Sequence, residues 1–200
     1  MNTPESPFHA ELRRQVVLAG HTGDIDTVLN ALEHEVAMVR DVALGALSRM
    51  DKLDVATLRR FRTDPDARVR KRVAELAATF PEFDLLPLLD DEDPMVVEMA
   101  AWSCGEHEAI SDPVLERLIA MSTSHAESLV REAAVAALGA IGDERALPAI
   151  LTACDDKPAI RRRAMLALAP FDGPEVDAAL KRGLEDRDWQ VRQAAEDLLG

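Results

Sequence analysis

The chain has 200 residues, 48% of them apolar but only 4% aromatic, with no tyrosine; this excludes an unfolded chain and implies a core of Ala, Leu and Val. Its 23 basic and 37 acidic residues leave a net charge of -14, which opposes general binding to nucleic acid or to an anionic membrane. No run approaches the roughly 18 apolar residues of a membrane span, and residues 1–14 lack the apolar stretch of a signal peptide.

Taken in order, the predicted elements repeat. A helix over the Leu12-Arg13 region comes first. Similar helices then begin near Val39-Arg40, Val69-Arg70, Val96-Val97, Val130-Arg131, Ile160-Arg161 and Val191-Arg192. Anchors at 12, 39, 69, 96, 130, 160 and 191 are 27, 30, 27, 34, 30 and 31 residues apart, a period that predicts stacked helical repeats. Counting each anchor as zero, positions +4, +7 and +8 are apolar or small, as in Ala43, Ala46 and Leu47 or Ala134, Ala137 and Leu138; that spacing puts one stripe toward a core. These are the B helices. Asp66, Asp93 and Asp188 stand where an N-cap oxygen is needed, Pro94 and Pro158 fit the first helical position, and Gly20, Gly105 and Gly139 mark expected stops.

Between B helices the sequence predicts shorter A helices near 24–32, 54–61, 83–89, 113–121, 146–153 and 174–184, with Pro87 shortening or kinking the third. This makes thirteen helices: a lone B helix followed by six A/B hairpins. With no low-complexity break, residues 1–200 are expected to form a single all-α domain. Cys104 and Cys154 lie in apolar helical surroundings and read as two reduced, packed thiols of a cytoplasmic protein.

The leucine-rich A helix, the Asp and the Val-Arg opening of an Ala-rich B helix resemble HEAT repeats, of the short-period kind found in phycobilisome lyases. The resemblance covers essentially the whole chain and implies a right-handed α-α superhelix. It also implies an internal ladder in which an Asp six residues before the anchor arginine pairs with arginines along the stack. Asp64, Asp91, Asp155 and Asp186 hold that position, and His34 and His125 replace it twice. The arginine positions are Arg13, Arg40, Arg70, Arg131, Arg161 and Arg192, interrupted at Val97. A partly buried arginine requires carboxylate or carbonyl partners, so this set is structural first.

HEAT-like deoxyhypusine hydroxylases carry His-Glu pairs directly after the anchor to hold two irons. Here the corresponding residues are Asp41-Val42, Lys71-Arg72, Glu98-Met99, Glu132-Ala133, Arg162-Arg163 and Gln193-Ala194, none of them His-Glu, so no di-iron site and no cofactor is expected. His107, in the charged loop Glu106-His107-Glu108, reads as solvated. A bilin-lyase-like or other HEAT-fold enzyme is one alternative function, although no residue set identifies such a site. Nucleic-acid binding through Arg59, Arg60, Arg62, Arg68, Arg70, Lys71 and Arg72 is the other.

The family implies that B helices line the inner face, where positions +2 and +6 point away from the core. Trp102, at +6, is a large aromatic with Glu75, Glu98 and Glu132 around it and Leu166 at +6 further on. It is either an interface anchor with an acidic rim or a plug over irregular packing next to Val97. The expected role is a non-catalytic protein-binding scaffold for a protein or peptide of basic and apolar character, without membrane contact and monomeric.

Overall fold

A computed structural model describes residues 7–200; among them are thirteen α-helices and no strand. The chain divides into two compact units, Met1–Phe83 and Asp84–Gly200.

In the first unit, α1 (Pro7–Thr22), α3 (Ala37–Arg49) and α5 (Ala67–Ala77) are the B helices, with α1 on α3 and α3 on α5. The A helices α2 (Ile25–Leu32) and α4 (Val55–Phe61) pack on this row. Asp24, Asp54 and Asp66 accept the backbone N–H of Thr27, Thr57 and Arg68, which satisfies donors that have no partner within the first helical turn. Val16, Val28, Val39, Leu44, Leu58, Val69 and Val73 are fully buried, following the predicted stripe.

The second unit repeats the scheme. Its A helices are α6 (Leu86–Leu89), α8 (Asp112–Ser124), α10 (Leu147–Ala153, entered through a 3-10 turn at Glu144–Ala146) and α12 (Pro174–Gly183). Its B helices are α7 (Pro94–Gly105), α9 (Ser128–Ile141), α11 (Pro158–Ala167) and α13 (Trp189–Leu199), stacked α7 on α9 on α11 on α13. Pro87 accompanies an A helix of only 4 residues.

Two expected stops are corrected. Gly20 and Gly139 lie inside α1 and α9; the left-handed residues are Gly23 (φ 81°) and Gly142 (φ 68°), three positions later. A Cβ on Gly20 would stand 2.8 Å from the Ala46 Cβ, and one on Gly139 would stand 2.6 Å from the Ala167 Cα. These two glycines let successive B helices approach closely.

The arginines hold the connectors in register. Arg40 donates through Nε and Nη2 to both carboxylate oxygens of Asp64 (2.8 and 2.7 Å), and through Nη1 to the carbonyls of His34 and Glu35. Arg161 is joined to Asp186 in the same way, at 2.8 Å twice, and Arg131 to Asp156 at 2.7 and 3.0 Å. Arg70 and Arg192 donate to the carbonyls of Asp64 and Asp186. Each bidentate rung therefore runs from one repeat's arginine to a carboxylate 24 or 25 residues ahead. The Arg131 partner is a correction: the period points to Asp155, but that side chain is exposed, and Asp156 takes both the guanidinium and the Lys157 N–H.

The aspartates have a second task. Asp64, Asp91 and Asp186 accept the N–H two residues ahead, at 2.8–2.9 Å. His34 and His125 do the same through Nδ1, toward Val36 and Glu127. Histidine thus keeps the turn while giving up the carboxylate. Val97 stands at the anchor-arginine position of its repeat and His125 at the aspartate position of the next, so neither carries the charge that a rung uses.

Candidate binding groove

The face of the second unit's B helices carries the feature closest to a site. On α9, Ala133, Ala136, Ala137 and Ala140 recur at helical spacing and form a low floor of methyl groups. Gly105 brings the end of α7 close to that floor, because a Cβ there would stand 3.2 Å from the Ala137 Cα. Trp102 on α7 and Leu129 on α9 rise beside it, 43% and 41% exposed. The resulting concavity has a volume of about 280 Å³. Glu98, Glu106 and Glu132 edge it against one cation, Arg163, whose Nη2 is 3.9 Å from Glu132. Three carboxylates against one guanidinium leave the rim acidic.

Trp102, Glu98 and Glu132 are therefore brought together. Leu166, 38% exposed on α11, belongs instead to a neighbouring concavity of about 240 Å³ with Arg162, Trp189, Gln190, Gln193, Ala194 and Asp197. Glu75 lies in the first unit, where it accepts from Arg72 at 2.8 Å. Sequence reasoning missed Leu129, Glu106, Arg163 and Trp189. Leu129 directly precedes its anchor and Trp189 lies two before, outside the +2 and +6 positions, although the chain has only two tryptophans and the second was in plain view.

In the first unit a concavity of about 410 Å³ between α1 and α3 is lined by Arg13, Arg14, Val17, Leu18, His21 and their neighbours, so its apolar surface sits among basic groups. Three of the seven cations of the stretch 59–72 are committed within this unit. Arg60 pairs with Glu33 at 2.6 Å and lies 4.9 Å from the Phe61 ring; Arg72 pairs with Asp41 at 2.6 Å; Arg70 is buried. Nucleic acid would meet those acidic partners along with the cations.

Neither thiol is poised for nucleophilic chemistry. Burial pushes Cys104 up to about 12 and Cys154 up to about 11. Among the described residues no three His, Cys, Asp or Glu side chains converge in metal-binding geometry, and no helix is long and apolar enough to cross a membrane.

Comparisons with known proteins concern the fold. The family of HEAT repeats matches residues 83–158 and again 115–200. Among solved structures, an engineered protein is similar at a TM-score of 0.64 with 20% identity, over 88% of this chain and 97% of its own. The X-ray structure of YibA from Escherichia coli is similar at 0.63 with 17% identity, over 98% and 75%. Human deoxyhypusine hydroxylase has a TM-score of 0.49 with 19% identity, over 94% and 77%, too loose a likeness to carry chemistry across. No curated protein matches. The agreement supports an all-α helical-repeat architecture.

Proposed function

The chain belongs to the HEAT-repeat family, and from that premise we propose that it is a non-catalytic binding module whose Trp102 groove receives a peptide segment of basic and apolar character. Stacked repeats present long, regular helix faces on which partners dock. The observation that carries the reading is Trp102 itself: a large aromatic standing 43% exposed over an alanine floor, within an acidic rim. Exposed aromatics of this kind are the usual anchors of interfaces, and rim charges select the partner's sign. A lysine- or arginine-bearing segment with one large apolar side chain satisfies both features. An acidic segment would meet three glutamates.

Panning a display library of random sixteen-residue peptides on the full chain tests the reading. The peptides enriched should combine Lys or Arg with Leu, Phe or Met. Trp102→Ala should weaken their binding by roughly tenfold or more, and raised salt should weaken it further. Enrichment of acidic peptides, or affinities that ignore Trp102→Ala, would remove the basis of the reading.

A further inference from the structure

Trp189 is the largest exposed apolar side chain of the second unit, at 65%, and no part of the core needs it there. It stands at the first position of α13 above a concavity shared with Leu166 and Arg162 of α11 and with Gln190 and Gln193. The Trp102 groove reaches the same α11 through Arg163, the residue next to Arg162. Two aromatic-walled hollows therefore lie on one row of stacked B helices, one between α7 and α9, the other between α11 and α13, with the α11 ridge between them.

We infer that these hollows are the two subsites of one bidentate groove, which takes an extended peptide with apolar anchors six residues apart. The inference rests on the reading of the Trp102 groove above. Neighbouring packed helices are about 8–10 Å apart, so the hollows, two helix steps apart, are separated by roughly 16–20 Å. A β-extended chain rises about 3.3 Å per residue and returns a side chain to the same face every second residue. A polyproline-II chain rises about 3.1 Å and returns every third. A separation of six residues satisfies both periodicities and spans about 19–20 Å. A helical ligand would have to lay a body about 10 Å wide over the Arg162/Arg163 ridge to reach both hollows.

The charges of the two ends differ. Glu98, Glu106 and Glu132 surround the Trp102 end, whereas Arg162 offsets Asp197 at the Trp189 end and Gln190 adds an amide able to meet peptide N–H and C=O groups. The occupant is thus a peptide with basic residues beside one anchor and neutral polar residues beside the other.

Because Trp102 and Trp189 are the only tryptophans and there is no tyrosine, each subsite carries its own emission reporter. Trp189→Phe leaves Trp102 alone to report, and Trp102→Phe leaves Trp189. The probes are synthetic peptides selected from the sixteen-residue library on the full chain, with versions in which either apolar anchor is replaced by alanine. Emission from both single-tryptophan variants should shift on binding. Loss of the second anchor should weaken binding to the parent chain at least tenfold, yet change little in Trp189→Ala or Leu166→Ala. Circular dichroism of each variant checks that the helices remain. A response from Trp102 alone, with one anchor in the selected peptides, overturns the bidentate groove and spares the simpler reading. A response from neither tryptophan overturns both. Concentration-dependent dimerisation abolished by Trp102→Ala would assign the groove to a second copy of the chain and overturn the peptide as its occupant.

Discussion

Asp186→Asn offers the sharpest test of what holds the repeats together. Asp186 accepts from Arg161 through both oxygens at 2.8 Å and also accepts the Asp188 N–H that opens α13. The two side chains are 9% and 15% exposed, so the pair is largely, though not wholly, withdrawn from water. Removing one partner of a buried pair strands the other and costs about 3–5 kcal/mol; the remaining exposure places this variant at the lower end, about 3 kcal/mol. Asparagine keeps an oxygen for the Asp188 N–H but sets an amide NH2 where the other oxygen accepts from Arg161 Nε, so the charge and one hydrogen bond are lost together while the turn is kept. Arg161→Met should cost about 2 kcal/mol, because Asp186 can then hydrate at the surface. The double variant should cost clearly less than the two single losses added, with a coupling of about 2 kcal/mol. Urea unfolding followed by Trp189 emission in a Trp102→Phe background reads the α12/α13 region directly, which matters because repeat arrays do not always unfold as one unit. The pH dependence has a definite sign. The hydrogen bonds from Arg161 hold the Asp186 carboxyl below the usual carboxylate range. The contribution is therefore full above the unfolded value near pH 4 and is lost as pH falls through the lower folded value. The difference between parent and variant should shrink between pH 6 and pH 3. A single-variant loss under about 1 kcal/mol, or full additivity, would refute the reasoning.

Other predictions follow from the same geometry. Val97, 2% exposed, becomes a buried unpaired charge in Val97→Arg, which should lose at least about 2 kcal/mol; adding His125→Asp should recover about 1 kcal/mol or more if residues 97 and 125 form one rung, as thermal melts of the four variants would reveal. Gly139→Ala forces a methyl to within 2.6 Å of the Ala167 Cα and should cost about 2–3 kcal/mol, whereas Gly142→Ala meets only a left-handed backbone penalty of about 1 kcal/mol; comparative urea midpoints separate them. Cys104 and Cys154 should resist a disulfide-exchange reagent at pH 8 in the folded chain and react in denaturant, and rapid native labelling of either thiol would contradict their burial.

Much of the architecture was legible because each repeat buries the same stripe. The Val-Arg anchors, the caps Asp66, Asp93 and Asp188, and the short helix at Pro87 all report local requirements that a residue type expresses directly. Where one residue type serves two physical ends, the sequence was ambiguous. Glycine permits both a left-handed turn and a close approach between helices, so Gly20 and Gly139 resembled stops until the neighbouring Ala46 and Ala167 were seen. Asp155 and Asp156 are adjacent carboxylates, and only the path of the connector shows which one meets Arg131. Trp189 was hidden because it lies in the first turn of α13, two residues before the anchor, and the outward positions were counted only forward from the anchor.

The chain's order of residues determined on its own that it forms helices, how many, and which stripe each buries, because those choices depend on neighbours three and four positions away. It also revealed the Asp/Arg alternation. Only tertiary structure decided that Asp156 rather than Asp155 meets Arg131, that Gly20 and Gly139 are points of close helix approach, and that Leu166 joins Trp189. Those facts depend on contacts between residues about 23 to 28 positions apart, which a repeat period does not specify to within a single residue.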